Sequence, residues 1–202
     1  MTSKRKRIID EIRDVPDDFS LAVEKSRELI QNKDSYLKKL KRNSSFLTNA
    51  FYPTVIFPQY ECGGGVCIRS NGLILSVAHV LGDEPTVGTE KLAIFVDGTI
   101  VLTKAIKVNE VCDVAILQIV GQYSHEGQFI TKPCEYPFTI LHDQDEISKR
   151  KQLVCFGQPG RDDLESSKKK KTNFDLLTIS TGVYISCLEG DIMDNSDIGK
   201  LK

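Results

Sequence analysis

No stretch of the 202 residues approaches 18 consecutive apolar side chains, so a bilayer-spanning helix is not expected. An apolar core behind the basic start is missing too. Met1-Thr2-Ser3-Lys4-Arg5-Lys6-Arg7 leads to Ile8-Ile9 and then at once to Asp10-Glu11, whereas a secretory signal needs a longer apolar segment there. The expectation is an intracellular protein, cytoplasmic or nuclear and not secreted. An excess of one charge sign is also lacking, because 27 Lys and Arg against 28 Asp and Glu leave a net charge of −1. That balance argues against the domain-wide basic field by which proteins hold nucleic acid. The short basic clusters at 4–7 and 168–171 read as solvated surface. Neither nucleic acid nor a membrane is an expected partner.

Metal and phosphate chemistry lack their residues as well. Cys62-x-x-x-x-Cys67 could supply half a zinc site, yet no second close Cys or His pair stands at the usual spacing. Cys62-Gly63-Gly64-Gly65-Val66 has no Lys-Ser/Thr end of a phosphate-cradling loop and reads as the entry to a strand. No cofactor and no metal are expected. The six cysteines, Cys62, Cys67, Cys112, Cys134, Cys155 and Cys187, fit free thiols better than bridges when no secretory signal precedes them. Cys67, Cys112 and Cys155 lie in or beside apolar strand runs, which predicts small buried hydrophobes.

What is present divides the chain in two textures. After Pro16, the apolar residues Phe19, Ala22, Val23, Leu29, Ile30, Leu37 and Leu40 recur at near-helical spacing. Asp17 and Asp18 stand at the start and Lys38, Lys39, Lys41 and Arg42 at the end, which suits the helix dipole. Residues 1–50 therefore read as a charged helical extension whose apolar stripe packs on the back of the barrel that follows or recruits a partner, packing being the preferred reading. From Phe51 onward short β-rich runs take over at 52–57, 65–68, 73–76, 92–96, 99–108 and 114–120, separated by turns such as Ser70-Asn71-Gly72 and Asp97-Gly98. Six such runs fit one Greek-key barrel over 51–121. Further strand-like runs stand at 137–141, 153–157 and 176–187, with a polar insert at 161–173, and residues 122–202 read as a linker and an incomplete second barrel. The fold class is mainly β.

Two residues in this frame carry chemistry. Leu73-Ile74-Leu75-Ser76-Val77-Ala78-His79 runs from an apolar strand through a small-residue step onto a histidine, and 34 residues later Asp113 opens Val114-Ala115-Ile116-Leu117. An imidazole held by a carboxylate through one ring nitrogen keeps the other free to take a hydroxyl proton. His79 is the candidate general base and acid, and Asp113 its orienting carboxylate.

Those motifs, together with Gly64-Gly65-Val66-Cys67-Ile68 ahead of them and Leu153-Val154-Cys155-Phe156-Gly157-Gln158-Pro159-Gly160 behind, resemble a trypsin-like (chymotrypsin-fold) serine peptidase domain. The resemblance implies a double β-barrel, a His, Asp, Ser triad and peptide or protein substrates. Its secreted relatives often carry a cysteine after the histidine, where this chain has Val80. In the triad template the aspartate follows the histidine by about 45 residues and the serine follows after about 93 more, which points to about position 206 and to a second barrel truncated before its nucleophile. Within the chain Ser196 is the alternative, but Asp194 and Asp197 stand where the family turn Gly-x-Ser-Gly has glycines. The resulting expectation is a serine-type endopeptidase relative that is inactive as this chain. A non-catalytic pseudopeptidase binding module and a gene-model fragment are the alternatives. An incomplete barrel leaves strand edges open, and self-association into a homo-oligomer is one way to cover them.

Overall fold

The computed structural model describes residues 15–43, 47–58, 63–131, 135–141, 152–157 and 177–183. Two helices, α1 (Phe19–Asn43) and α2 (Leu47–Phe51), precede the strands β1 (Thr54–Phe57), β2 (Gly63–Arg69), β3 (Leu73–Ser76), β4 (Glu90–Phe95), β5 (Ile100–Asn109), β6 (Val114–Tyr123) and β7 (Phe129–Ile130). A separate antiparallel hairpin joins β8 (Gln152–Gly157) to β9 (Thr178–Val183). The main sheet runs β3-β2-β1-β4-β5-β6-β7, and β3 pairs with β6 to close the first six strands into a barrel. These six strands are the six runs expected from the sequence. No helix among the described residues is long and apolar enough to cross a membrane.

Two apolar clusters explain why several strands read as unbroken apolar runs. Val55, Phe57, Ala93, Phe95, Val101, Ala115 and Leu117 fill the barrel interior with Cys67 and Ile74. Their alternates Ile56, Leu92, Ile94, Ile100 and Leu102 face outward, where Ala22, Val23, Leu29, Tyr36 and Leu40 of α1 cover them. A strand buried on both faces has no polar side to show. Ser26 is the polar exception on this face of α1. It is fully buried, donates its hydroxyl proton to the Gly98 carbonyl at 2.6 Å and lies 2.9 Å from His125 Nε2. A hydroxyl has one proton to give, so Nε2–H of His125 donates to it. Gly98 (φ 95°) allows this approach, because a Cβ there would meet Ile30 Cγ1 at 2.5 Å.

Three expectations need correction. Residues 137–141 form no strand. The stretch is tied by Tyr136 N–H, just before it, to the carbonyl of Ser70 just past β2 (2.9 Å) and by Thr139 N–H to the carbonyl of Cys67 in β2 (3.0 Å). That three-residue interval breaks the two-residue repeat of a ladder, and Pro137 has no N–H to add. Cys112 and Cys155 are exposed, and only Cys67 is buried as expected. Cys112 sits in a turn before β6 rather than in a strand, and Cys155 lies on an open face of the β8–β9 hairpin. All three are free thiols, and the polar insert at 161–173 lies outside the described residues.

Leu29, 1% exposed between α1 and the barrel, tests the covering role of the helix. Leu29→Ala should lower unfolding free energy by about 2–5 kcal/mol. Val87→Ala, at a side chain 65% exposed, should stay within about 0.5 kcal/mol of the parent. Urea denaturation of the two variants measures both.

Candidate active site

The barrel brings the two candidate residues to one rim. β3 ends at Ser76, whose hydroxyl donates to the Gly64 carbonyl at 2.8 Å. A 3-10 turn, Ala78–Leu81, follows at once. Ala78, Val80 and Leu81 point inward at 5% exposure or less, so His79 is the residue of the turn left facing solvent. Asp113 closes the turn before β6, its N–H donating to the Glu110 carbonyl at 3.1 Å. It has φ 49°, the sole left-handed non-glycine backbone among the described residues, a conformation that aspartate tolerates better than most side chains.

In that conformation the carboxylate meets His79 twice. Oδ1 accepts the backbone N–H of His79 at 3.0 Å, and Oδ2 lies 2.8 Å from Nδ1. An ionised carboxylate has no proton to donate, so Nδ1 carries the hydrogen and Nε2 of the neutral ring keeps its lone pair. Desolvation pushes the Asp113 carboxyl up, but the His79 backbone N–H, the imidazole bond and charge and the Ala78 N–H outweigh it, and the group sits below the usual aspartate range. Both side chains stay open to solvent, 59% for His79 and 48% for Asp113.

They stand on the lip of a cleft of about 690 Å³. Its floor is Gly63, Gly64 and Gly65 of β2, and its far wall is Val154, Phe156 and Gly157 of β8, with Val66, Leu75 and Val114 between. The sequence had placed the glycines only as a strand entry, and the β8 wall has no local signature because it acts through space. A Cβ at Gly63 would clash with Val80 Cγ1, so this position is glycine because it runs against the histidine turn, whereas Gly65 lies close to the Leu75 carbonyl of β3. Among the described residues no side chain bonds His79 Nε2 and no cluster could hold a metal ion. Ser76 lines the cleft, but its proton is committed to Gly64. Ser196 lies outside the described residues.

A family profile described as a trypsin-like peptidase domain matches residues 63–198, a span that contains His79, Asp113 and Ser196. The chain belongs to the trypsin-like serine peptidase family. Among solved structures, the serine endoprotease from Yersinia pestis is similar at 15% identity and a TM-score of 0.48, over 86% of this chain and 46% of that one. The chain thus spans less than half the length of that structure. No curated protein matches it.

The lowered pKa of the Asp113 carboxyl fixes a pH dependence for its pair with His79. A carboxyl with a depressed folded pKa contributes stability in full above its unfolded value, about 3.9, and loses it as pH falls through the folded value. Carbon-detected NMR of the side-chain carboxyl should therefore show a midpoint below that of an ordinary aspartate, and His79→Ala should move it upward. A midpoint at the ordinary value in both proteins contradicts the bond.

Proposed function

We propose that the chain is a serine-type endopeptidase relative in which His79 is the general base and acid and Asp113 orients it. The observation that carries the reading is the 2.8 Å contact between Asp113 Oδ2 and His79 Nδ1 at the edge of the cleft. With Nδ1 bonded, Nε2 takes the proton of an attacking hydroxyl as its oxygen adds to the peptide carbonyl carbon. The imidazolium so formed is stabilised by Asp113, and it returns the proton to the departing amine as the C–N bond breaks. Membership of a peptidase family implies peptide or protein substrates.

The proposal extends to inactivity of the 202-residue chain by itself. Ser196 is flanked by Asp194 and Asp197, where glycines would let backbone N–H groups converge on the oxyanion. Two carboxylates there oppose the charge that develops in the transition state. The same aspartates favour a second reading, a non-catalytic pseudopeptidase module that holds a peptide segment without cleaving it. We also propose a reducing, intracellular location, supported by the free thiols of Cys67, Cys112 and Cys155.

The purified chain should give no fluorophosphonate labelling and no hydrolysis of peptide or ester substrates, since loss of a single oxyanion donor already costs about 100- to 1000-fold in turnover. Peptide binding without turnover supports the second reading. Stoichiometric labelling that disappears in both Ser196→Ala and His79→Ala overturns the inactivity and makes Ser196 the nucleophile. For the location, titration of the denatured, unreduced protein should find nearly all six thiols, and recovery of few of them argues for an oxidising compartment.

A further inference from the structure

The carboxylate of Asp113 reaches the backbone N–H and the ring Nδ1 of His79 because Asp113, at the end of its turn, holds a left-handed backbone. That turn is tied at two successive N–H groups. Asp113 N–H donates to the Glu110 carbonyl at 3.1 Å, and Cys112 N–H donates to the side-chain oxygen Oδ1 of Asn109, also at 3.1 Å. The first tie is backbone to backbone and any residue can make it. The second depends on the identity of residue 109. Asn109 ends β5 directly opposite Val114, the first residue of β6, so its side chain folds over the turn from a position fixed by the ladder.

We infer that Asn109 is a positioning residue for the dyad: by capping the Cys112 N–H it holds the turn in which Asp113 can face His79. Its side chain bonds neither His79 nor Asp113, and it acts through the turn alone. A non-glycine residue in the left-handed region carries a conformational cost, and without the cap the turn is free to relax toward conformers in which the carboxylate leaves the imidazole. Val111 at the apex is 93% exposed and adds little packing to the turn, so the backbone tie to Glu110 is what remains when the cap is lost.

The inference rests on the reading of His79 and Asp113 as the catalytic pair, and its test needs no turnover. In the full 202-residue chain, the exchange rate of the His79 Nδ1 proton with water, followed by NMR, reports how long the imidazole stays bonded. Asn109→Ala should speed this exchange by about 2- to 10-fold, the range of one exposed hydrogen bond. Asn109→Ser keeps an uncharged acceptor of the kind that caps a turn N–H, and it should return exchange close to the parent rate. Thr86→Ala removes an equally exposed side-chain bond, Thr86 Oγ1 to Thr89 Oγ1 at 3.0 Å, outside the dyad turn, and should change nothing. Parent-like exchange in Asn109→Ala, no rescue by Asn109→Ser, or a matching rise in Thr86→Ala each overturns the positioning role. Failure of the peptidase reading appears instead as a chain that neither binds nor cleaves peptide, and it leaves these rates as they are.

Discussion

The antiparallel seam between β3 and β6 is the constraint on which the site depends. Its register pairs Leu73 with Gln118, Ile74 with Leu117, Leu75 with Ile116 and Ser76 with Ala115. Because the strands run in opposite directions, the end of β3 and the start of β6 meet at the same rim, and the residues just beyond each are His79 and Asp113. No long-range fold accident is needed to bring together two side chains 34 positions apart in sequence. Gly72 (φ 84°) supports the seam from its other end: its carbonyl accepts the Ile119 N–H at 2.9 Å, and a Cβ there would lie 2.8 Å from the Ile119 Cβ. A slip of one residue would turn the apolar set of β3 to the opposite face. A slip of two would carry the histidine about 7 Å along the strand axis, beyond the reach of the carboxylate.

The second dependence is the double cover of β1, β4 and β5. Their inner side chains fill the barrel and their outer ones meet α1, so the extension completes the core instead of hanging beside it. The same outer cluster takes in Leu177, Phe156 and Ile179 of the β8–β9 hairpin, and Phe51 of α2 lies edge-on to Phe156 at 6.1 Å. The far wall of the cleft is therefore held partly by the N-terminal helices. Shape at the site is set by residues far from the imidazole.

Much of this was legible in the sequence because its causes are local. Short β-rich runs bounded by turns marked the six barrel strands, near-helical spacing marked α1, and the motif pair marked His79 and Asp113 as residues that meet. What escaped depends on partners distant along the chain. Ser26 looks like a flaw in an apolar stripe until Gly98, 72 residues away, accepts its proton. The apolar run at 137–141 reads as a strand, yet its hydrogen bonds to β2 fall out of step and Ile140 is left 84% exposed. Cys112 and Cys155 seemed core residues from their neighbours, but exposure follows the turn and the open hairpin face on which they sit. Ser76 looks like a free hydroxyl beside the histidine motif, yet it is buried and donates to the Gly64 carbonyl.

The helical cover also has a meaning for solubility. Leu92-Ala93-Ile94-Phe95-Val96 is uncharged, contains no proline and is buried along its whole length, which is the composition of a segment that stacks into intermolecular β-structure when laid bare. In the folded chain α1 lies across its outer alternates Leu92, Ile94 and Val96. The amphipathic helix thereby works as a built-in guard against aggregation. A chain whose strands pair before the helix docks passes through an interval in which this segment is shielded on one side only.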